Sequence, residues 1–114
     1  MIKHQFKRSK YNIDLSPKGK LARTVDGITF DSLKEANKYR ELKIRRDNPD
    51  GDVLFFLMQT RFDLPGGVMV RIDFQVFYRD GSVEFIDVKG KKTKSYIRNK
   101  KQIEALYPIK ITEV

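Results

Sequence analysis

Cysteine and tryptophan are missing from this chain altogether, and histidine occurs once, at His4. Without cysteine there are no disulfides, no thiolate zinc sites and no sulfur nucleophile. A single imidazole in a terminal stretch leaves no basis for histidine catalysis or a histidine metal cluster. Long apolar runs are lacking too. None approaches the length of a membrane span, and the start Met1-Ile2-Lys3-His4 lacks the apolar segment of a signal peptide. A cytoplasmic protein with no membrane partner is expected.

What is present suits one compact domain. The chain has 114 residues, 39% of them hydrophobic and 11% aromatic, enough for a real core. Its charge is one-sided: 24 Lys and Arg against 15 Asp and Glu, a net +9. The surplus is also segregated. Residues 89–101 hold seven basic residues and no acid, and residues 1–23 hold seven against the single Asp14. Two separate basic segments point to a polyanionic partner, nucleic acid before others, because neutralising phosphates releases condensed counterions.

Residues 1–22 carry little periodicity and read as a basic arm, leaving 23–114 as a single domain. Residues 24–30 look like a small hairpin around Asp26-Gly27. A helix follows from Leu33 and stops near the breakers at 47–51. The run 53–62, apolar until Gln59, reads as a strand covered on both faces. Pro65-Gly66-Gly67 makes a turn, and segments 68–78 and 82–89 form a hairpin across Arg79-Asp80-Gly81. Residues 90–93 form a basic loop. Segment 95–106 is a second helix with Tyr96, Ile103, Leu106 and Tyr107 toward the core, and 109–114 is a last strand.

Two acids interrupt the hairpin strands, Asp73 in the first and Asp87 in the second. Whether they meet depends on the turn. A two-residue Asp80-Gly81 turn pairs residues whose numbers sum to 161 and sets the two acids on opposite faces. A three-residue loop makes the sum 160 and places Asp73 across from Asp87; it needs a left-handed residue at its third position, where Gly81 stands. Opposed carboxylates destabilise a sheet unless neutralised by a divalent cation, by Lys89, or by protonation. Oxygen ligands without nearby His or Cys favour Mg²⁺ or Mn²⁺. The competing reading is a structural ion pair of these acids with Lys89 or Arg71. Glu35 is open in the same way. Ser32-Leu33-Lys34-Glu35 fits a capping box, yet Glu35, Tyr39 and Leu42 also form a stripe at helical spacing.

An acid on the first helix, an acid in the second strand and Asp87-Val88-Lys89 in the third resemble the PD-(D/E)xK nuclease superfamily. The likeness is to its small phage members, similar to Holliday-junction resolvases. It rests on residues 26–32 with Glu35 and Tyr39, Leu57-Met58-Gln59, Ile72-Asp73-Phe74, Asp87-Val88-Lys89-Gly90 with Thr93 and Tyr96, and the last strand, covering roughly residues 9–114. Ile72 stands where the motif name has proline, a common variation in this superfamily.

The resemblance implies a restriction-endonuclease-like αβββαβ core with a mixed central sheet flanked by helices. It implies Asp73 and Asp87 as metal ligands, the Val88 carbonyl as a further oxygen, and Glu35 completing the site directly or through water. Lys89 would orient the attacking water and offset phosphorane charge, with Gln59 as a supporting residue. Lys91, Lys92, Lys94, Arg98 and Lys101, with Lys7, Arg8 and Lys10 of the arm, would hold DNA phosphates. The expected activity is Mg²⁺-dependent endonucleolytic cleavage of branched DNA by a homodimeric Holliday-junction resolvase. Alternatives are a nuclease on flaps, nicks or ends, and a nucleic-acid-binding protein whose site is vestigial.

Overall fold

The computed structural model describes residues 13–114, in two compact units that divide between Glu41 and Leu42. Lys7, Arg8 and Lys10 therefore lie outside the described residues. The protein is mixed α/β, with a two-stranded sheet, a four-stranded mixed sheet and three helices among the described residues.

In the first unit, part of the segment read as an arm is a short helix, α1 (Pro17–Ala22). Ser16 caps it, its hydroxyl accepting the Gly19 N–H at 3.1 Å, and Pro17 supplies a preset first turn. Six residues were too few for periodicity to register. Strands β1 (Thr24–Val25) and β2 (Ile28–Thr29) form the expected hairpin, with both turn residues left-handed, Asp26 at φ 53° and Gly27 at φ 76°. Helix α2 (Leu33–Asp47) begins in this unit and runs into the second. Ser32 caps it, accepting the Glu35 N–H at 3.0 Å. The Tyr39 hydroxyl donates to Asp26 at 2.9 Å, and its ring packs 5.0 Å from that of Phe30. The hairpin turn is thereby pinned to the helix.

The second unit holds β3 (Val53–Leu64), β4 (Val68–Tyr78), β5 (Val83–Asp87), α3 (Lys94–Leu106) and β6 (Ile111–Glu113). Sheet order is β3-β4-β5-β6, antiparallel except for the parallel β5–β6 pair, which α3 connects as a crossover helix must. Phe62, Leu64, Ile72, Ile103 and Ile111 form one core cluster, with Val70, Phe85, Tyr107 and Ile109 against it.

Two expectations about packing fail. Strand β3 is an edge strand, not a covered one, and Leu54 and Leu57 are about half exposed. Its apolar run is served laterally instead: Phe55 stacks on Phe77 at 4.3 Å, and the Arg46 guanidinium lies 5.4 Å from the Phe56 ring centre. Leu106, expected in the core, is exposed, while Ile103 takes the buried position on α3.

The hairpin loop is the three-residue one. Gly81 has φ 91°, its N–H donates to the Tyr78 carbonyl at 3.0 Å, and the Tyr78 N–H donates to Ser82 at 2.9 Å. The register follows, Phe74 opposite Ile86 and Phe77 opposite Val83, both summing to 160. Gly81→Ala is expected to destabilise the protein by about 1 kcal/mol, because a Cβ is strained at that φ although nothing lies near to clash. Chemical denaturation would check this.

Candidate active site

One step beyond the Phe74–Ile86 pair, the register sets Asp73 across from Asp87. Hydrogen bonds lock the two levels together. The Val88 N–H donates to Asp73 Oδ2 at 2.9 Å, and the Asp73 N–H reaches toward Asp87 Oδ1 at 3.4 Å. Asp87 is nearly sealed, at 1% exposed, and Asp73 is half-buried. Taking a carboxylate out of water disfavours its charged form. Burial accordingly pushes the Asp73 carboxyl up to about 7, Asp87 beside it adds to the rise, and the Val88 amide and Lys89 pull the other way.

Lys89 leaves the end of β5 with its ammonium 3.2 Å from Asp87 Oδ2 and 4.3 Å from the centre of the Tyr96 ring. A carboxylate and an aromatic face thus fix one lysine between them. The expected ion pair is real, yet Lys89 supplies one positive charge to two acids. On the other side of Asp73 stands Gln59, between the Met58–Phe74 and Thr60–Ile72 pairs, with Nε2 3.3 Å from Asp73 Oδ1. Val88, whose carbonyl was expected as a further oxygen, is 9% exposed. Among the described residues no group of three or more His, Cys, Asp or Glu gathers to hold a metal ion.

Glu35 sits in the first unit at 7% exposure, on the buried stripe with Tyr39 and Leu42 that helical spacing gives. Its own N–H is the one Ser32 caps, so the helix start accounts for its backbone.

Sequence reasoning missed Glu113. In the parallel β5–β6 pair it stands level with Asp87, so Gln59, Asp73, Asp87 and Glu113 form one polar row across all four strands. Lys100 and Lys92 pair with it, the latter at 3.0 Å, and they hold its carboxyl below the usual range. Only knowledge that β6 pairs with β5, and in which register, would have revealed it. Lys92, expected on phosphate, is therefore engaged within the protein. Lys94, Arg98 and Lys101 line one shallow depression on α3 with Ile97 and Gln102, and Lys91 is exposed in the loop before it. The Thr93 hydroxyl starts α3 by accepting the Tyr96 N–H at 3.1 Å.

These features define a mixed α/β protein whose central strands carry a pair of opposed carboxylates with a lysine beside them. The chain belongs to the family described as protein of unknown function DUF1064, whose family model matches residues 8–113. No curated protein and no solved structure matches it. No helix among the described residues is long and apolar enough to cross a membrane.

Proposed function

We propose that this protein is a Mg²⁺-dependent endonuclease that cleaves branched DNA, a Holliday-junction resolvase built on a restriction-endonuclease-like core and acting as a homodimer. The observation that carries the reading is the pairing of Asp73 with Asp87 in one hairpin, with Lys89 two residues further on. Such a pair is unfavourable in the bare sheet. Two hard oxygen donors fit Mg²⁺, which binds through one or two carboxylates and keeps several waters, so a third acidic ligand is not required. Asp73 and Asp87 would hold the ion, with Val88 offering a carbonyl.

Bound there, a divalent cation supplies activation of water and stabilisation of charge on the phosphate. The chain's own residues do the rest. Lys89 donates toward the attacked phosphate or orients the water, its position set by Asp87 and Tyr96. Lys91, Lys94, Arg98 and Lys101 hold flanking phosphates by charge, which positions the strand without reading its bases. Recognition by shape suits so small a domain.

The test is cleavage of a labelled four-way junction in Mg²⁺ and in EDTA, beside flapped, nicked and linear duplexes. Cutting of the junction in Mg²⁺ alone, faster than of the others, is the expected result. Preference for a flap or nick would move the substrate but keep the chemistry. Binding without cutting of any substrate in Mg²⁺ or Mn²⁺ would favour the second reading, a DNA-binding protein in which the 3.2 Å Asp87–Lys89 pair is structural.

A further inference from the structure

Gln59 is left-handed, at φ 57°, in the middle of a twelve-residue strand. The only other non-glycine residue with positive φ among those described is Asp26, in a hairpin turn that demands it. Nothing about a strand demands it at Gln59. Glycine adopts this conformation freely, whereas a side chain there is strained and persists only when its surroundings compel it.

The irregularity is local and faces the carboxylates. Ile72 and Phe85 pack in one core cluster, yet Phe85 pairs across from Gln75, three residues from Ile72. Strict alternation would put residues three apart on opposite faces. The alternation therefore breaks between Ile72 and Gln75, the stretch of β4 that includes Asp73 and lies across from Met58 and Thr60, on either side of Gln59. The consequence is visible in the hydrogen bonds. Asp73 Oδ1 receives the Gln59 amide at 3.3 Å, and Oδ2 receives the Val88 N–H at 2.9 Å. One donor on each oxygen fixes the plane of the carboxylate.

We infer that Gln59 is a positioning residue for Asp73, its strained backbone retained so that an uncharged amide orients that carboxylate toward the ion. This rests on the nuclease reading of the pair. An amide adds no charge to a site that already holds two acids, and it donates at every pH. Partners that orient a metal ligand in this way alter metal affinity or activity by about 10- to 100-fold.

The experiment compares the parent with Gln59→Gly and Gln59→Asn, since glycine is free of the strain and asparagine tolerates it with too short a reach. Melting is measured in EDTA, and Mg²⁺ dependence is measured by titrating junction cleavage and by direct Mn²⁺ binding. Both variants are expected to melt at or above the parent temperature. Half-maximal cleavage should need about tenfold more Mg²⁺, and Mn²⁺ binding should weaken in step. Saturating Mg²⁺ should restore most of the rate. Unchanged Mg²⁺ and Mn²⁺ dependence in both variants overturns the inference while leaving the nuclease reading intact. Lower melting with activity lost at all Mg²⁺ concentrations assigns Gln59 a structural role and overturns it too. A parent that neither binds Mn²⁺ nor cleaves any DNA overturns the nuclease reading, and the role given to Gln59 falls with it.

Discussion

Asp87→Asn is expected to cut four-way junctions at least roughly 10³-fold more slowly than the parent in Mg²⁺, with junction binding kept within a few-fold. Lys89→Ala should lose roughly 10²-fold, since it removes a charge near the phosphate and leaves both carboxylates in place. Asparagine is chosen because Asp87 is almost fully buried and Asp73 N–H and Lys89 both point at its oxygens. The isostere keeps the shape and an acceptor, so lost cleavage reports lost charge and not a cavity. Alanine would confuse the two. Single-turnover cleavage and a gel-shift titration in Ca²⁺ or EDTA separate the chemistry from binding. If Asp87→Asn cuts at the parent rate, the carboxylate is not a ligand. Should it fail to bind junctions and melt far below the parent, Asp87 and Lys89 form a structural bridge and the nuclease assignment is wrong.

The candidate site was legible where local rules decide geometry. Gly81 suited the three-residue loop as well as the two-residue turn, so the sequence narrowed the register to two choices; once the loop is the three-residue one, the sum of 160 places Asp73 across from Asp87. The Asp26-Gly27 hairpin and the stripe of Glu35, Tyr39 and Leu42 were legible for the same reason. What failed depended on neighbours that sequence does not name. An apolar run such as 53–58 fits a central strand or an edge strand whose rings stack sideways, and composition cannot choose. Glu113 joined the polar row only because β6 pairs parallel to β5 in one particular register. The left-handed Gln59 was invisible in principle, since glutamine signals no such conformation and the strain is imposed by the sheet around it. The two longer helices and the order of strands came from periodicity, whereas α1 did not register and which faces stay open came from packing.

Asp73→Asn is expected to melt several degrees above the parent at pH 7–8 in EDTA, while losing cleavage. The sign follows from the raised carboxyl. Asp73 titrates near 3.8 when unperturbed and is pushed up to about 7 in the fold by burial and by Asp87. Between those values the folded protein holds a proton that the unfolded chain has released. Stability therefore falls as pH rises through this window, the reverse of an aspartate whose folded carboxyl is depressed. Below the unfolded value both states are protonated and the penalty is absent; above about 7 it is present in full. Each unit is about 1.4 kcal/mol, but water reaches this half-buried group and Lys89 offsets part of the repulsion, so on the order of 2 kcal/mol is a fair expectation. Asparagine removes the charge and keeps the shape: its amide oxygen can accept the Val88 N–H, and its NH₂ meets the Gln59 side chain, whose amide can turn to present its oxygen. Melting curves from pH 4 to 8 should slope downward for the parent and lie flatter for the variant. Added Mg²⁺ should raise the parent's melting temperature at pH 7–8 and leave the variant's nearly unmoved, because the ion stabilises only a fold that binds it. A variant that melts below the parent at pH 8 would mean that Asp73 contributes stability as a paired anion. The opposite result has one physical meaning: the bare fold tolerates a charge it would be more stable without, and the compensation lies in what that charge binds.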